Sequence, residues 1–300
     1  MDVAISGASG LLGTALAASL SADGHRVLRF KRGGITKDDE IGWDPDAGRI
    51  DAPALEGIDA VVHLAGEGIG ERRWSTDQKR RIRESRTRGT AVLAAAVASR
   101  EIRPRVLVSA SAIGYYGSRG DEILTEDSGP GNDFLSEVCQ AWEAETRPAA
   151  DAGVRTVIVR TGIVLTKHGG ALQRMLLPFR LGVGGKQGSG KQWMSWIAID
   201  DEIAALRGAI EDDRLNGPVN LTAPNPVTNA DFAHALGRAL HRPTVLPTPM
   251  FPLKAKFGGE LVESLLLGSQ RVLPARLEAI SFPFRYPVLA PALEAILRGP

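Results

Sequence analysis

The stretch "ISGASGLLGTAL" (residues 5–16) sets three glycines, Gly7, Gly10 and Gly13, at spacings of three directly behind the apolar run Val3–Ile5. The run reads as a strand, and the Ala/Leu-rich segment Leu11–Leu20 reads as a helix. A strand that enters a helix through glycines leaves the first helical amides unpaired and pointing outward. Those amides, with the positive end of the helix dipole, form a site for phosphate. Gly7 permits the tight turn, Gly10 lets a pyrophosphate approach the backbone, and Gly13 lets the helix lie close to its strand. The expected cradle is therefore Gly7 with Ser9, Gly10, Leu11, Leu12 and Gly13. The alternative is a glycine-rich turn that binds nothing, so the flanks must decide.

The next strand, "HRVLRF" (25–30), runs into Lys31 and Arg32, with no acid before Asp38. A site for NAD needs an Asp or Glu about 20 residues after the glycines, to accept from the ribose 2′-hydroxyl. Two cations in that place suit a 2′-phosphate, hence NADP; the alternative is a solvated basic strand end.

Working outward, residues 33–57 are rich in Gly, Asp and Pro and read as loop. "DAVVHLAG" (59–66) is a third strand, Ser75 to Arg100 a long helix, and "PRVLVSAS" (104–111) a fourth strand. Asn132 to Ala152 reads as a helix and "VRTVIVRTG" (154–162) as a fifth strand. Near-continuous Val/Ile/Leu strands separated by helices indicate an α/β fold whose parallel sheet is covered on both faces. Right-handed crossovers make that sheet doubly wound. After Thr166 the texture changes. A Gly-rich loop (182–190) precedes a strand (193–199), a helix from Asp200 to Glu211 and a short strand within 217–226. The remainder, with its proline cluster from Pro243 to Pro252, reads as a smaller, mostly helical C-terminal domain. The domain reading is 1–165 with 193–223 returning to it, against 166–192 and 224–300 on the substrate side.

Composition narrows the function. The 300 residues are 43% hydrophobic and 24% charged, with net charge +1, which gives no argument for nucleic acid or an anionic membrane. The basic run Lys79–Arg88 reads as a solvated helix face. No apolar run reaches the ~18–20 residues of a membrane span, and a start directly into a strand predicts no signal peptide. The single cysteine, Cys139, excludes an internal disulfide and fits the reducing cytoplasm. No His/Cys spacing supports a metal. The expected partner is a small-molecule substrate; a homodimer is compatible but not demanded.

Two strand ends carry further candidates. "HLAG" (63–66) supplies Leu64, Ala65 and Gly66, small or apolar groups over which a cofactor's adenosine and ribose can lie. His63 is a candidate base, although a histidine inside an apolar strand is ordinarily a packed, hydrogen-bonded residue. "SASAIGYYG" (109–117) brings Ser109, Ser111, Tyr115 and Tyr116 to the carboxyl edge, where ligands bind in such sheets. A serine there can hydrogen-bond a substrate carbonyl or hydroxyl. A decoy lies further on. "GKQGSGKQ" (185–192) nearly fits G-x-x-x-x-G-K-[ST], but Gln192 replaces the hydroxyl that should hold Mg²⁺, and a Trp-rich strand follows where a helix should.

Through "GASGLLG", "VVHLAG", "VSASAIGYYG" and "VRTGIVL" the chain resembles the extended short-chain dehydrogenase/reductase superfamily. "RRW" (72–74), "SRTRGT" (85–90), "DFLSEVCQAWEAE" (133–145), "GSGKQWMSWIAIDD" (188–201) and "NLTAPNPVTNADFA" (220–233) narrow the likeness to its atypical epimerase-family, nucleoside-diphosphate-sugar-epimerase-like branch. The resemblance covers essentially the whole chain. It implies a Rossmann-like NADP-binding domain, a smaller C-terminal domain closing over the substrate cleft, and Lys191, Gln192 and Trp193 on the substrate side.

It also exposes a departure. Catalytic members of the superfamily carry Tyr-x-x-x-Lys on the helix after the fourth strand. Aligned on Glu143, that pair falls at Leu135 and Cys139; shifted by one, at Phe134 and Val138. Ser111 matches the family's serine, but the phenol and the amine are absent. The substitutes within reach are Tyr115, Tyr116 and Glu137, the last only if burial raises its pKa. The expectation is an NADP(H)-dependent oxidoreductase or epimerase-like enzyme acting on a small polar or sugar-nucleotide substrate; the alternative is an NADP-binding or sensing protein without turnover.

Overall fold

A computed structural model describes residues 1–298. Its centre is an eight-stranded sheet ordered Gly217–Leu221, Arg155–Thr161, Val106–Ala112, Ala60–His63, Asp2–Ser6, Arg26–Lys31, Glu40–Asp44 and Arg49–Ile50. All neighbours are parallel except the last pair. The apolar strands need cover on both faces and receive it. Leu16 and Leu20 of the helix Leu11–Ala22 pack on one face with Leu206 and Ile210 of the helix Ile199–Glu211. Leu93 and Val97 of the helix Thr76–Ala98, with Ala149, cover the other. The arrangement is the Rossmann-like doubly wound sheet.

The chain winds outward in one direction from Asp2–Ser6 through Arg26–Lys31, then returns to start the other half at Ala60–His63. The strand order reverses between Asp2–Ser6 and Ala60–His63, which opens a crevice at their carboxyl ends. That is where the glycine loop lies.

Several boundaries differ from the sequence reading. Within the supposed loop 33–57, Glu40–Asp44 extends the sheet because Ile41 and Trp43, two residues apart, both point into the core. The expected helix from Asn132 to Ala152 is two helices, Phe134–Ala144 and Arg147–Asp151. Thr146 Oγ1 donates to the Glu143 carbonyl at 2.7 Å where the first one ends, and Pro148, which lacks an N–H, sits in the first turn of the second. The expected strand 193–199 divides into Trp193–Met194 and Trp196–Ala198. Between them Ser195 is fully buried; its hydroxyl donates to the Gln270 carbonyl and accepts from the Val272 amide, both at 2.8 Å.

A separate apolar cluster gathers Leu165, Leu172 and Phe179 with Trp196, Phe232 and Leu293, joining the helices Gly170–Arg180, Asn229–Ala239 and Leu289–Arg298. Met194 and Trp196 belong to this cluster, whereas Ile197 packs under the main sheet. No described helix is long and apolar enough to cross a membrane.

Candidate functional site

The glycine loop is built by contact as well as by conformation. Gly7 has φ +69°, and a methyl group on it would come within 2.8 Å of the Leu64 carbonyl carbon and 2.9 Å of the Ala65 nitrogen. A Cβ on Gly13 would stand 2.2 Å from the Gly7 oxygen, so only glycine lets the helix come this close. The Gly10 amide closes the turn on the Gly7 carbonyl at 2.9 Å, and Gly10 caps the helix in extended conformation with no side-chain hydrogen bond. Ser9 and Gly10 are exposed, and Leu11 and Leu12 are half-buried. The first helical amides thus face the crevice without an internal cap, as an anion site requires.

At the end of the second strand the two cations part company. Lys31 Nζ is held at 3.0 Å by Glu40 and at 2.8 Å by the Thr36 hydroxyl. Glu40 is pulled down to about 2 by the Thr36 amide and Lys31, so this ion pair is internal. Arg32 is exposed and has no side-chain partner among the described residues. Of the pair read as a 2′-phosphate clamp, Arg32 alone is free to meet an anion. The correction has a tertiary cause: Glu40 comes from the neighbouring strand that the sequence reading took for loop.

Leu64, Ala65 and Gly66 continue the adjacent strand end, the first two half-buried against Gly7 and Gly66 exposed. His63 is fully buried, with Nδ1 2.6 Å from the Ser6 hydroxyl and its ring edge-on to Trp43 at 5.8 Å. Burial, and then the charge of Arg86, push it down to about 4. Fully buried and bonded to Ser6, His63 is a packed residue of the strand end.

The fourth strand shows alternation at work. Leu107, Ser109 and Ser111 share a face, and Ser111 meets the helix Phe134–Ala144 there. Ser109 is 1% exposed and its hydroxyl has no partner among the described residues; this buries it beneath the crevice where it was expected to line the cofactor. Ser111 is also buried, and its hydroxyl donates to Glu143 Oε1 at 2.6 Å. Glu143 in turn accepts two bonds from Arg160, at 2.9 Å from Nε and 2.8 Å from Nη2. Arg160 Nη1 donates to the Tyr116 hydroxyl at 3.0 Å, and that hydroxyl donates to Asn220 Oδ1 at 2.7 Å.

This chain of bonds reassigns Tyr116. Its side chain is fully buried, both sides of its hydroxyl are engaged, and burial pushes its pKa up to about 12 despite Arg160. It is a structural member of the network with no face toward a cleft. Burial works to lower Arg160, but the hydrogen bonds and charge of Glu143 outweigh it and hold the guanidinium above its usual range. Tyr115 is half-buried, with Arg160 Cζ 3.4 Å from its ring centroid and no hydrogen bond to its phenol among the described residues. Sequence reasoning used Glu143 only to align a motif. The signal was Arg160, an arginine inside an apolar strand, which must find a carboxylate.

The remaining candidates fall differently. Glu137 is exposed on the first helical turn, so the burial that an acid role needs is missing. Cys139 is buried and pushed up to about 12 by burial and by Glu143, which makes it an inert thiol. Gln192 is turned inward, donating to the Gln187 and Leu266 carbonyls at 3.1 Å. Lys191 is exposed, and Trp193 Nε1 donates to Asp121 at 2.8 Å. In the decoy loop a Cβ on Gly185 would lie 1.9 Å from the Leu246 oxygen, so that glycine serves a chain crossing. Glu202, fully buried beside the fifth strand, accepts from the Thr161 hydroxyl at 2.9 Å, and its other oxygen has no partner among the described residues. No described group of three or more His, Cys, Asp or Glu is placed to hold a metal.

Comparison with known proteins places this geometry. An epimerase family protein of Mycobacterium bovis is 47% identical over 291 residues, 97% of this chain and 96% of its own. The crystal structure of the human epimerase family protein SDR39U1 with NADPH is 36% identical and superposes with a TM-score of 0.91, covering 100% of both chains. A structure described as a nucleoside-diphosphate sugar epimerase from Corynebacterium glutamicum is 41% identical, with a TM-score of 0.82, over 99% of this chain and 58% of that one. A model for a domain of unknown function, DUF1731, matches residues 248–296. The model of the NAD dependent epimerase/dehydratase family matches residues 3–221, from the first sheet strand to the last, and with the glycine crevice at the strand-order reversal this makes the chain a member of that family.

Proposed function

We propose that the protein binds NADP(H) across the crevice between Asp2–Ser6 and Ala60–His63 and acts with it on a small polar substrate, of the sugar-nucleotide class, at the rim formed by Tyr115. The observation that carries the reading is the glycine cradle followed by a strand end, Lys31–Arg32, whose exposed arginine has no side-chain partner among the described residues. Gly7, Gly10 and Gly13 with the amides after Ser9 would hold the pyrophosphate, Arg32 the 2′-phosphate, and Ala65 and Gly66 the adenosine side. The human relative solved with NADPH supports the cofactor, and the description of the Corynebacterium relative supports the substrate class.

When bound, the nicotinamide supplies or accepts hydride; everything else falls to the chain. Ser111 already donates to Glu143, so its remaining lone pairs can accept from a substrate hydroxyl, and it orients more readily than it protonates. Tyr115 has an uncommitted phenol held in place by Arg160 and is the group to carry the proton. The cluster around Trp196, Phe232 and Leu293 would form the substrate-side unit.

Calorimetric titration should show NADPH bound more tightly than NADH; equal affinities would overturn the assignment. With a carbonyl panel, Tyr115→Phe should lower turnover by about 10²- to 10⁴-fold, the usual worth of a positioned acid, while NADPH affinity holds. One observation favours a second reading, binding without turnover: Leu135 and buried Cys139 stand where the superfamily's tyrosine and lysine are expected. NADPH binding with no hydride transfer to any member of the panel would select it.

A further inference from the structure

The net charge of +1 averages over an uneven distribution. Residues 170–199 and 232–259 contain no Asp or Glu, against eight Lys and Arg. Among the described residues only Lys254 of those eight is in an ion pair, with Glu263. The basic run Lys79–Arg88 differs, because Asp77 pairs with Arg80 and Glu84 with Arg88.

Folding lays the two acid-free segments side by side. The Thr248 hydroxyl donates to the Gly185 carbonyl at 2.9 Å and its amide to the Lys186 carbonyl at 2.8 Å. Arg242 Nε donates to the Arg180 carbonyl at 2.8 Å. Along the helix Gly170–Arg180, Leu172, Leu176 and Phe179 are buried in the cluster around Trp196. Leu177 and Leu181, one turn apart, stand on the opposite side in water with Val183 just beyond them. On the neighbouring segment Val245 is 86% exposed and Phe251 83%, and Leu246 is exposed between them. Six of the ten exposed large apolar side chains among the described residues therefore fall on these two segments. Scattered singly such groups are ordinary; gathered in one place they mark a contact surface.

Charge decides what the surface meets. A second copy of the chain is disfavoured, since an acid-free face brought against itself finds only cations. Nucleic acid would use the cations but gains little from a set that is aliphatic apart from Phe251. An anionic bilayer surface answers both features: apolar side chains enter the boundary between headgroups and acyl chains, while Lys and Arg meet lipid phosphates. We propose that this face docks the protein on an anionic lipid surface, through Val245, Leu246 and Phe251 with Arg180, Lys186 and Lys256. The inference is independent of the NADP(H) reading. The same helix holds the loop after Gly66, Arg174 Nη1 donating to the Gly70 carbonyl at 2.7 Å, so the docked face borders the crevice.

Co-sedimentation of the full chain with vesicles tests this. The protein should pellet with an equimolar mixture of phosphatidylcholine and phosphatidylglycerol, not with phosphatidylcholine alone, and added salt should release it. Each cation near such a surface is worth about five-fold in binding, so Arg180→Ala, Lys186→Ala and Lys256→Ala together should weaken it roughly 100-fold. Removing three cations elsewhere, as Arg80→Ala, Arg83→Ala and Arg88→Ala, should change it little. Leu246→Ser with Phe251→Ser, both at exposed positions that the fold does not need, should also weaken binding and leave thermal stability near wild type. No pelleting with the anionic vesicles would overturn the proposal, as would equal pelleting with both kinds. Equal losses from the two triple variants would reduce the effect to net charge and overturn it too. Binding unmoved by the Leu246/Phe251 variant would show charge adsorption without docking, which also refutes it. Sedimentation velocity without lipid should find no dimer that Phe251→Ser dissociates; such a dimer would assign the face to a second copy.

Discussion

The two sides of the crevice solve opposite problems. Around the crevice loop, the stretch from Gly7 to Gly13 achieves its shape by leaving things out: no Cβ, no side-chain cap and, beside it, no side-chain partner for Arg32 among the described residues. Across from it, Ser111, Glu143, Arg160, Tyr116 and Asn220 are joined hydroxyl to carboxylate to guanidinium to phenol to amide, with each link at 3.0 Å or less. An open set of amides can bind, because its hydrogen-bond capacity is unspent. A network whose donors are already bonded to one another holds shape, and Ser111 at its end keeps only acceptor capacity. The difference teaches that polar residues gathered at a sheet edge are not thereby a catalytic set; what matters is which of them keep a free valence.

The comparison breaks most visibly at its closed side. Glu143→Ala strands Arg160 as a buried charge, and breaking such a pair typically costs ~3–5 kcal/mol. Urea denaturation should show a loss of that order, while NADPH affinity of the folded protein stays near wild type. A variant of unchanged stability would mean that the network is not what holds this side together.

A pH series tests the buried carboxyl beside it. Burial pushes Glu202 from 4.5 up to about 8, so the folded state keeps its proton where the unfolded state has lost it. Its contribution to stability is fully present below pH 4.5 and is lost as pH rises through about 8. Thermal melts should therefore fall between pH 5 and pH 9, and Glu202→Gln should flatten that fall and melt higher than wild type at the alkaline end. Parallel profiles for the two proteins would show that Glu202 does not titrate in this way.

Arg32→Ala sharpens the open side. Losing a charge-assisted bond worth ~1.5–3 kcal/mol should weaken NADPH by roughly 10- to 100-fold and leave NADH unmoved. Equal weakening of both would place Arg32 away from the 2′-phosphate. Lys191→Ala should do least: the side chain is exposed, and such substitutions usually stay within about 0.5 kcal/mol. Stabilisation by Mg-ATP that vanishes in this variant would instead promote the loop Gly185–Gln192 to a phosphate site.

Legibility in the sequence followed the range of the interaction. The Gly7–Gly13 loop was readable because backbone geometry and helix dipole act within a dozen residues, and its contacts match that reading. The edge strand Glu40–Asp44 was not, since five residues with a glycine and two acids look like loop until Ile41 and Trp43 find a sheet to pack on. The second glycine-rich loop shows the limit from the other direction. Gly185 stands where a chain some sixty residues later passes at van der Waals contact, and no local pattern announces that.

By itself the sequence determined the doubly wound sheet, the crevice loop and the family, since each depends on short-range periodicity and glycine placement. Only the tertiary structure decided that Lys31 is spent on Glu40, that Tyr116 is locked under Arg160, and that Glu137 stays in water. It also decided that Glu143 accepts from both Ser111 and Arg160. Charged and hydroxyl groups are defined by the partner they meet, and those partners lie on other strands and helices. Residue type supplies the donors and acceptors; folding decides which remain open to a ligand.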